Sequence, residues 1–421
     1  MLAKMKSTYM EYPRPFWVLM LGIFIDQLGG SLIFPFFALY VTSHFNVGMT
    51  EVGIMFGIMT AAGVIGGMIG GAMTDKFGRK SMLLFGLIIS GLFNIVIIFI
   101  DQIEVFYIVA GFVGFLGSLS GPAGQAMIAD LLPEEKRADG FGMLRVVWNL
   151  SITFGPLIGG FVADYSFNYL FIADAVTSMI TAGIVIAWLP ESKPELSEEK
   201  EAQSMLQTLR GYGTVFKDHT YILFLGATML VFLLFMQMFN TLPVYMRDVQ
   251  GFPNKYYGYI LSMNAGMVVL FQFWFTRRFS KLKPMTAMAI GCVILGAGFG
   301  MFGFVDGIAM FVVGMIILTI GEMIVAPFIQ SMAAKFSPED MRGRYLALMG
   351  LFRRFTNIFM PFVIGVVMDT FNPKWIWYGA GILGVVGAVS YLGLQKRAIE
   401  RFKESEKPVL EGTAPVVKPA V

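Results

Sequence analysis

Six charged side chains stand inside long apolar runs: Asp26, Arg145, Asp174, Glu322, Arg353 and Arg354. A charge at the centre of a membrane helix costs about 2.5 to 3.5 kcal/mol on insertion scales, so each needs a reason to be there. Asp26, Glu322 and the two adjacent arginines lie about eleven to twelve residues from the basic end of their runs, roughly 16 to 18 Å deep. Arg145 is shallower. A carboxyl at that depth has two uses. It holds a proton until a cation replaces it, or it forms a permanent ion pair with Arg145, Arg353 or Arg354 that fixes helix packing. The arginines could equally hold an anion. Gln27, Asn149, Gln237, Asn240, Asn264 and Asn357 add neutral polar groups suited to a cavity or to interhelical hydrogen bonds.

Other chemistries lack their parts. The single Cys292 excludes an intramolecular disulfide, and His44 and His219 flank different apolar runs, so neither a metal cluster nor a nucleophile pair is expected. No G-x-x-x-x-G-K-[ST] phosphate loop is present. No cofactor is expected, and the energy for any transport must come from a gradient or from the substrate itself.

The elements that carry these residues are strongly apolar: 56% of the 421 residues are hydrophobic and 14% charged, against roughly 25% charged in a soluble domain. Mean hydropathy is +0.70. This balance excludes a soluble enzyme or nucleic-acid binder and predicts an all-α polytopic membrane protein. Twelve apolar runs are expected to span: Phe16 to Val41, Val52 to Met73, Met82 to Ile100, Val105 to Ala129, Phe141 to Ala163 and Tyr169 to Leu189, then Tyr221 to Tyr245, Tyr256 to Phe275, Met285 to Phe304, Ile308 to Ala333, Tyr345 to Met368 and Trp375 to Leu394. The first reads as a span rather than a signal peptide, because Asp26 interrupts it and no small-residue cleavage site follows.

Lysines and arginines collect on one set of loops together with both termini; Arg247, Lys255 and Lys374 alone fall on the other. That bias places the termini in the cytoplasm. The polar stretch Pro190 to Asp218 divides the spans six and six. The expected organisation is a first bundle over 1–189, a linker over 190–219, a second bundle over 220–396 and a tail over 397–421. At an offset of 205, Pro122, Gln125, Met127, Ala129, Pro133, Glu134 and Arg137 fall on Pro327, Gln330, Met332, Ala334, Pro338, Glu339 and Arg342. Pro156, Gly160, Val162 and Asp164 likewise fall on Pro361, Gly365, Val367 and Asp369. Two parallel repeats predict a substrate site between the halves near the midplane.

The segment Gly71 to Leu83 (GAMTDKFGRKSML) resembles motif A of the major facilitator superfamily, with Gly71, Asp75, Gly78, Arg79 and Lys80 in register and departures at Met73 and Thr74. The resemblance implies twelve helices in two six-helix bundles, and a latch in which Asp75 and Arg79 join Asp130 and Arg137. Gly71 is read as a point of close helix approach and Gly78 as a tight turn. The corresponding loop of the second half, Arg277 to Lys281, keeps the bases and loses the acid. Span five carries Ser151 to Gly160 (SITFGPLIGG), similar to the motif C of drug antiporters, with Gly155, Pro156, Gly159 and Gly160 in place and Ser151 for the first glycine. Span ten carries Gly321 to Pro327 (GEMIVAP), similar to a segment of lactococcal-type multidrug antiporters whose glutamate recognises cationic drugs.

These likenesses imply a proton-coupled exporter of amphiphilic compounds, monomeric, in the inner or plasma membrane of a prokaryote, with Glu322 and Asp26 carrying the proton. Export of a defined metabolite, with Arg353 and Arg354 holding an anion, is the rival; a non-transporting sensor on the same fold is more remote. Superfamily architecture puts spans three, six, nine and twelve outside and spans one, four, seven and ten around the cavity; the charges follow that arrangement except for Asp174 in span six, which lies near the outer end and is expected to reach water.

Overall fold

The computed structural model describes residues 11–193, 215–338 and 341–405. Among the described residues, twelve helices are long and apolar enough to cross a membrane: α1 (Arg14–Phe45), α2 (Met49–Phe77), α3 (Arg79–Ile97), α4 (Ile103–Leu131), α5 (Glu134–Tyr165), α6 (Phe167–Trp188), α7 (His219–Val249), α8 (Asn254–Phe279), α9 (Pro284–Met301), α10 (Ile308–Phe336), α11 (Arg344–Thr370) and α12 (Lys374–Phe402). Among the described residues there is no strand. A bilayer core offers backbone groups no water, so each span must satisfy them internally, and only helices or closed barrels do so.

Most helices overrun the apolar runs by a turn or so at their ends, because polar residues continue the backbone ladder into the interface, whereas α3 and α9 stop three residues short of the expected Ile100 and Phe304, at Ile97 and Met301. The last helix continues to Ser405, so residues 397–405, expected as tail, belong to it. Residues 194–214 of the expected linker and 406–421 of the tail lie outside the described residues. Proline marks the irregular points. α1 tightens to a 3-10 turn over Phe34–Phe36 around Pro35, and α4 breaks at Ser120 and restarts at Gly121 before Pro122.

Each half repeats one packing scheme. In the first, α1 packs on α5 and α6, α2 on α4, and α3 on α6; in the second, α7 packs on α11 and α12, α8 on α10, and α9 on α12. The halves meet where α2 crosses α11 and α5 crosses α8. The loops rich in Lys and Arg define a basic face, and the other ends of the helices define the far face. Every hydrogen bond between the halves, among the described residues, lies at the far face. Bulky apolar side chains such as Leu270, Phe273 and Ile108 are exposed along the spans, while Tyr165, Tyr169, Trp188 and Trp375 are exposed near helix ends. That is the distribution a lipid-facing surface with interfacial aromatics requires.

Candidate functional site: intramembrane carboxylates in each of two bundles

Asp26 and Glu322 sit in different halves. Asp26, on α1, accepts a hydrogen bond from Ser178 Oγ of α6 at 2.9 Å. It borders a cavity of about 330 Å³ within the first half, where Gln27, Ser90, Ser120, Gln125 and Trp148 supply further polar or aromatic lining. Glu322, on α10, accepts from Asn264 Nδ2 of α8 at 2.9 Å, and the same amide donates to Thr319 Oγ1 at 2.9 Å. Both carboxylates therefore have neutral partners, and no ion pair to either occurs among the described residues. The expected alternative of a fixed pair with Arg145, Arg353 or Arg354 is not what the fold contains. Those three arginines are exposed. The guanidinium of Arg354 faces Gly67 of α2 across the junction of the halves, 3.9 Å from where a Cβ would stand.

A second cavity, about 410 Å³, lies between the halves and is lined by Gln27, Gly30, Ser31, Phe34, Pro156 and Phe239, among others. Gln27 borders both cavities. Gln237, a sequence candidate for the central cavity, does not reach it. Two residues along a helix rotate by about 200°, so with Phe239 facing the cavity Gln237 faces the other way. It borders a separate 170 Å³ space with Trp375 and Ile376, donates to Leu233 O at 3.2 Å and accepts from Thr241 Oγ1 at 2.5 Å. Asn240 is buried and Asn149 is exposed, while the buried Oδ1 of Asn357 has no hydrogen-bond partner among the described residues.

Asp174 corrects another expectation. It is 7% exposed and accepts from Asn94 Nδ2 of α3 at 2.6 Å instead of reaching water. Its Oδ1 occupies the space where a Cβ on Gly29 would project. Gly29 is one turn from Asp26 and Ser178 one turn from Asp174, so the two acids face one another across α1 and α6 a single helical turn apart. An acid within span six was visible in the sequence; the glycine that admits it to the interior was the signal for its depth.

At the basic face Arg79 gathers the acids. Its Nε donates to Asp130 Oδ2 at 2.8 Å, and its Nη2 lies 3.1 Å from Asp75 Oδ1. Arg137 stays outside this cluster. Its Nε donates to the carbonyls of Ala129 and Leu132, at 3.0 and 3.4 Å, because it lies just past the end of α4, where unpaired carbonyls attract a base. Lys80 Nζ donates to Ile186 O at 3.0 Å. Gly71 has open space around it; the close approaches to α4 are made by Gly66 and Gly70, against the carbonyls of Phe115 and Leu119.

Glu191 was missed by sequence reasoning, although it is an acid directly after the end of span six on the basic side. Its Oε1 accepts from Arg79 N at 2.8 Å and its Oε2 from Lys80 N at 3.2 Å, capping α3. Gly78 makes room, with φ +96° and the carboxylate of Glu191 in the space a side chain would fill. Partial burial raises the carboxyl's pKa, but the N–H groups of Arg79, Lys80, Lys193 and Ser192 outweigh it and hold the value below the ordinary 4.5. The stabilisation is complete above the ordinary value and lost as pH falls through the lowered one. Wild type and Glu191→Gln are therefore expected to differ in melting temperature near neutral pH and to converge as the solution is acidified below the ordinary carboxylate range, measured in detergent.

The second half has its own cluster, unforeseen from its degenerate loop. Asp218 pairs with Arg401, accepts from Tyr345 Oη at 2.8 Å, and caps α7 through Tyr221 N at 3.1 Å. In the motif C segment, Gly155 lies against Ser31, Gly159 against Leu32 and Phe36, and Gly160 against Gly258 and Lys255, with the Pro156 carbonyl facing Gly258. These contacts join α5 to α1 and α8 through small residues, the means by which membrane helices approach closely.

A family model described as Major Facilitator Superfamily matches residues 19–356 and 310–420, essentially the whole chain. The chain belongs to the major facilitator superfamily. Among curated members, a Na(+), Li(+), K(+)/H(+) antiporter of Planococcus maritimus is 26% identical, the match covering 90% of this chain and 95% of that one. The multidrug resistance protein MdtH of Yersinia enterocolitica is 21% identical over 92% of this chain and 96% of its own. In fold, a point mutant of the nucleoside transporter NupG superposes with a TM-score of 0.77 at 15% identity, covering 90% of this chain and 100% of the other. A point mutant of a peptide transporter, POT, in complex with alafosfalin gives 0.74 at 15% identity, covering 93% and 95%. These superfamily relatives are transporters, and this chain is a multi-pass membrane transporter rather than an enzyme.

Proposed function

We propose that this transporter is a proton-coupled exporter of amphiphilic, cationic or neutral compounds, acting by alternating access. The basic face and both termini lie in the cytoplasm, the membrane is the inner or plasma membrane of a prokaryote, and one chain suffices. The proton gradient drives it with no bound cofactor. The observation that carries this reading is Glu322: a carboxylate deep in the second half whose described partner is the neutral amide of Asn264. An ionised acid there is costly without a cation, so a proton and an organic cation are alternative ways to neutralise it. The inter-half cavity, with Phe34, Phe239 and Pro156 in its wall, suits an apolar compound, although Glu322 is not part of its lining. The likeness to MdtH supports the same substrate class.

A second reading, exchange of monovalent metal cations for protons, is favoured by the first-half cavity. Asp26 there is accompanied by the oxygen-bearing side chains of Gln27, Ser90, Ser120 and Gln125, hard donors suited to an alkali ion, and the Planococcus relative is named for that exchange. Reconstitution into proteoliposomes with an imposed pH gradient separates the two. Ethidium is expected to dissipate the gradient in a protein-dependent manner, and Na+, Li+ and K+ are expected not to. Dissipation by the alkali ions alone would establish the second reading, and no response to either would overturn both.

A further inference from the structure

Three charged side chains each meet a helix end of the other half at the far face, beside one neutral bond from Asn254 Nδ2 to Ala163 O at 3.5 Å. Asp369, at the end of α11, accepts from Met49 N at 2.9 Å, from Thr50 N at 2.7 Å and from Thr50 Oγ1 at 2.6 Å, capping the N-terminus of α2. Asp164, at the end of α5, accepts from Lys255 N at 3.4 Å and lies 4.0 Å from its Nζ, at the N-terminus of α8. Arg247, at the end of α7, donates to Leu39 O at 2.9 Å, to Thr42 Oγ1 at 2.8 Å and to Ser43 Oγ, in the last turns of α1. Acids meet helix N-termini and the base meets a C-terminal end, the favourable sense of each helix dipole.

Two of these contacts are one contact made twice. Asp164 and Asp369 are 205 positions apart, and so are Met49 and Asn254, and Thr50 and Lys255. The repeat has placed an acid at the end of its fifth helix and aimed it at the start of the second helix of the other repeat. The copies have diverged in strength. Asp369 has two backbone donors and a hydroxyl within 2.9 Å, whereas Asp164 has one long backbone bond and a lysine at 4.0 Å.

We propose that Asp369, seconded by Arg247 and more weakly by Asp164, is the lock that holds the far face shut, and that its release is required for the far face to open. The proposal rests on the alternating-access reading above but not on the identity of the substrate. None of the three residues borders either cavity, so they are positioning residues for the transport step. When the far face opens, α2 separates from α11 and α8 from α5, and these contacts exchange protein donors for water. The ratio of the two states thus depends on how much stronger the charge-to-helix contacts are than their hydrated forms. Because the three act on different helix pairs, Asp369 sets the balance at the α2–α11 crossing, while Asp164 does so at the α5–α8 crossing.

The test is the distance across the far face. In a Cys292→Ala background, Glu104→Cys and Phe304→Cys place spin labels at exposed far-face positions of the two halves, read by double electron–electron resonance in lipid nanodiscs. Asp369→Asn is expected to raise the ratio of long-distance to short-distance populations by about tenfold, Asp164→Asn by about twofold. A labelled pair at Glu135→Cys and Lys281→Cys on the basic face should shorten in the same proportion. Thr50→Val removes only the hydroxyl bond and provides a milder variant with the same direction of change should Asp369→Asn fold poorly. An unchanged distribution in both Asp369→Asn and Thr50→Val would overturn the proposal, as would equal effects of Asp369→Asn and Asp164→Asn. These distances report on the lock even if ethidium is not a substrate, so failure of the export reading and failure of the lock are separately visible.

Discussion

Glu322→Gln is expected to abolish proton release on ligand binding while leaving the fold intact. In detergent near neutral pH, addition of ethidium to the wild-type protein should release protons in proportion to bound ligand, and the variant should release none. Glutamine is close in shape to glutamate and its Oε1 still accepts from Asn264 Nδ2, so the link between α8 and α10 survives. What disappears is the ability to exchange a proton for a positive charge. Cation affinity should also fall, by about tenfold or more, since a charge pair in a poorly hydrated site is replaced by a dipole. Release unchanged in the variant would transfer coupling to Asp26 in the first-half cavity. Absence of binding by any cationic or neutral drug would favour the rival, an anionic metabolite held by the exposed Arg353 and Arg354.

A larger mechanical effect is expected from Gly53→Val. Gly53 of α2 meets the backbone of α11, and a Cβ there would lie 2.5 Å from the Pro361 carbonyl carbon and closer still to the backbone of Phe362. Backbone atoms of a helix cannot turn aside as a side chain does, so the two helices must separate. Overpacking costs about 1 to 3 kcal/mol in ordinary cores, and the upper end is appropriate where only backbone is met. About 3 kcal/mol corresponds to a shift of more than a hundredfold between states. Transport should be reduced to near background, and the protein should accumulate with its far face open. The control is Gly266→Ala on α8, where nothing lies within 4 Å of an added Cβ; it should transport normally. Substrate uptake in proteoliposomes together with far-face spin-label distances would check both halves of the expectation.

The sequence carried the helices almost completely, because a span needs about twenty apolar residues in a row and a polar linker leaves an unmistakable gap. It also carried the repeat, whose prolines and acids keep a constant offset. Side-chain direction was less legible. Gln237 reads as a cavity residue because it is polar in an apolar run, but two residues of rotation separate it from Phe239 and the cavity. Asp174 reads as peripheral by its position along its helix; only the small Gly29 opposite, on another helix, gives it a buried place. Arg137 was grouped with the acids by the family resemblance, whereas the end of α4 offers nearer carbonyls. Glu191 went unnoticed because its partners lie far along the chain, where no local pattern reports them; Asp218 has a local signature as the N-cap of α7, but its pairing with Tyr345 and Arg401 is equally distant.

The paired crossings at the far face also describe an ancestry. In each, an acid and a glycine of one repeat meet a glycine and a helix start of the other: Asp164, Gly160 and Gly258 at one, Asp369, Gly365 and Gly53 at the second. Contacts in which each partner offers the same patch to the other form an isologous interface, the kind that joins two identical subunits about a twofold axis. A six-helix unit carrying only these residues would have met a copy of itself through both crossings at once, before fusion into one chain. Fusion then freed the copies to differ, and Thr50 opposite one acid and Lys255 opposite the other record how far the twins have parted.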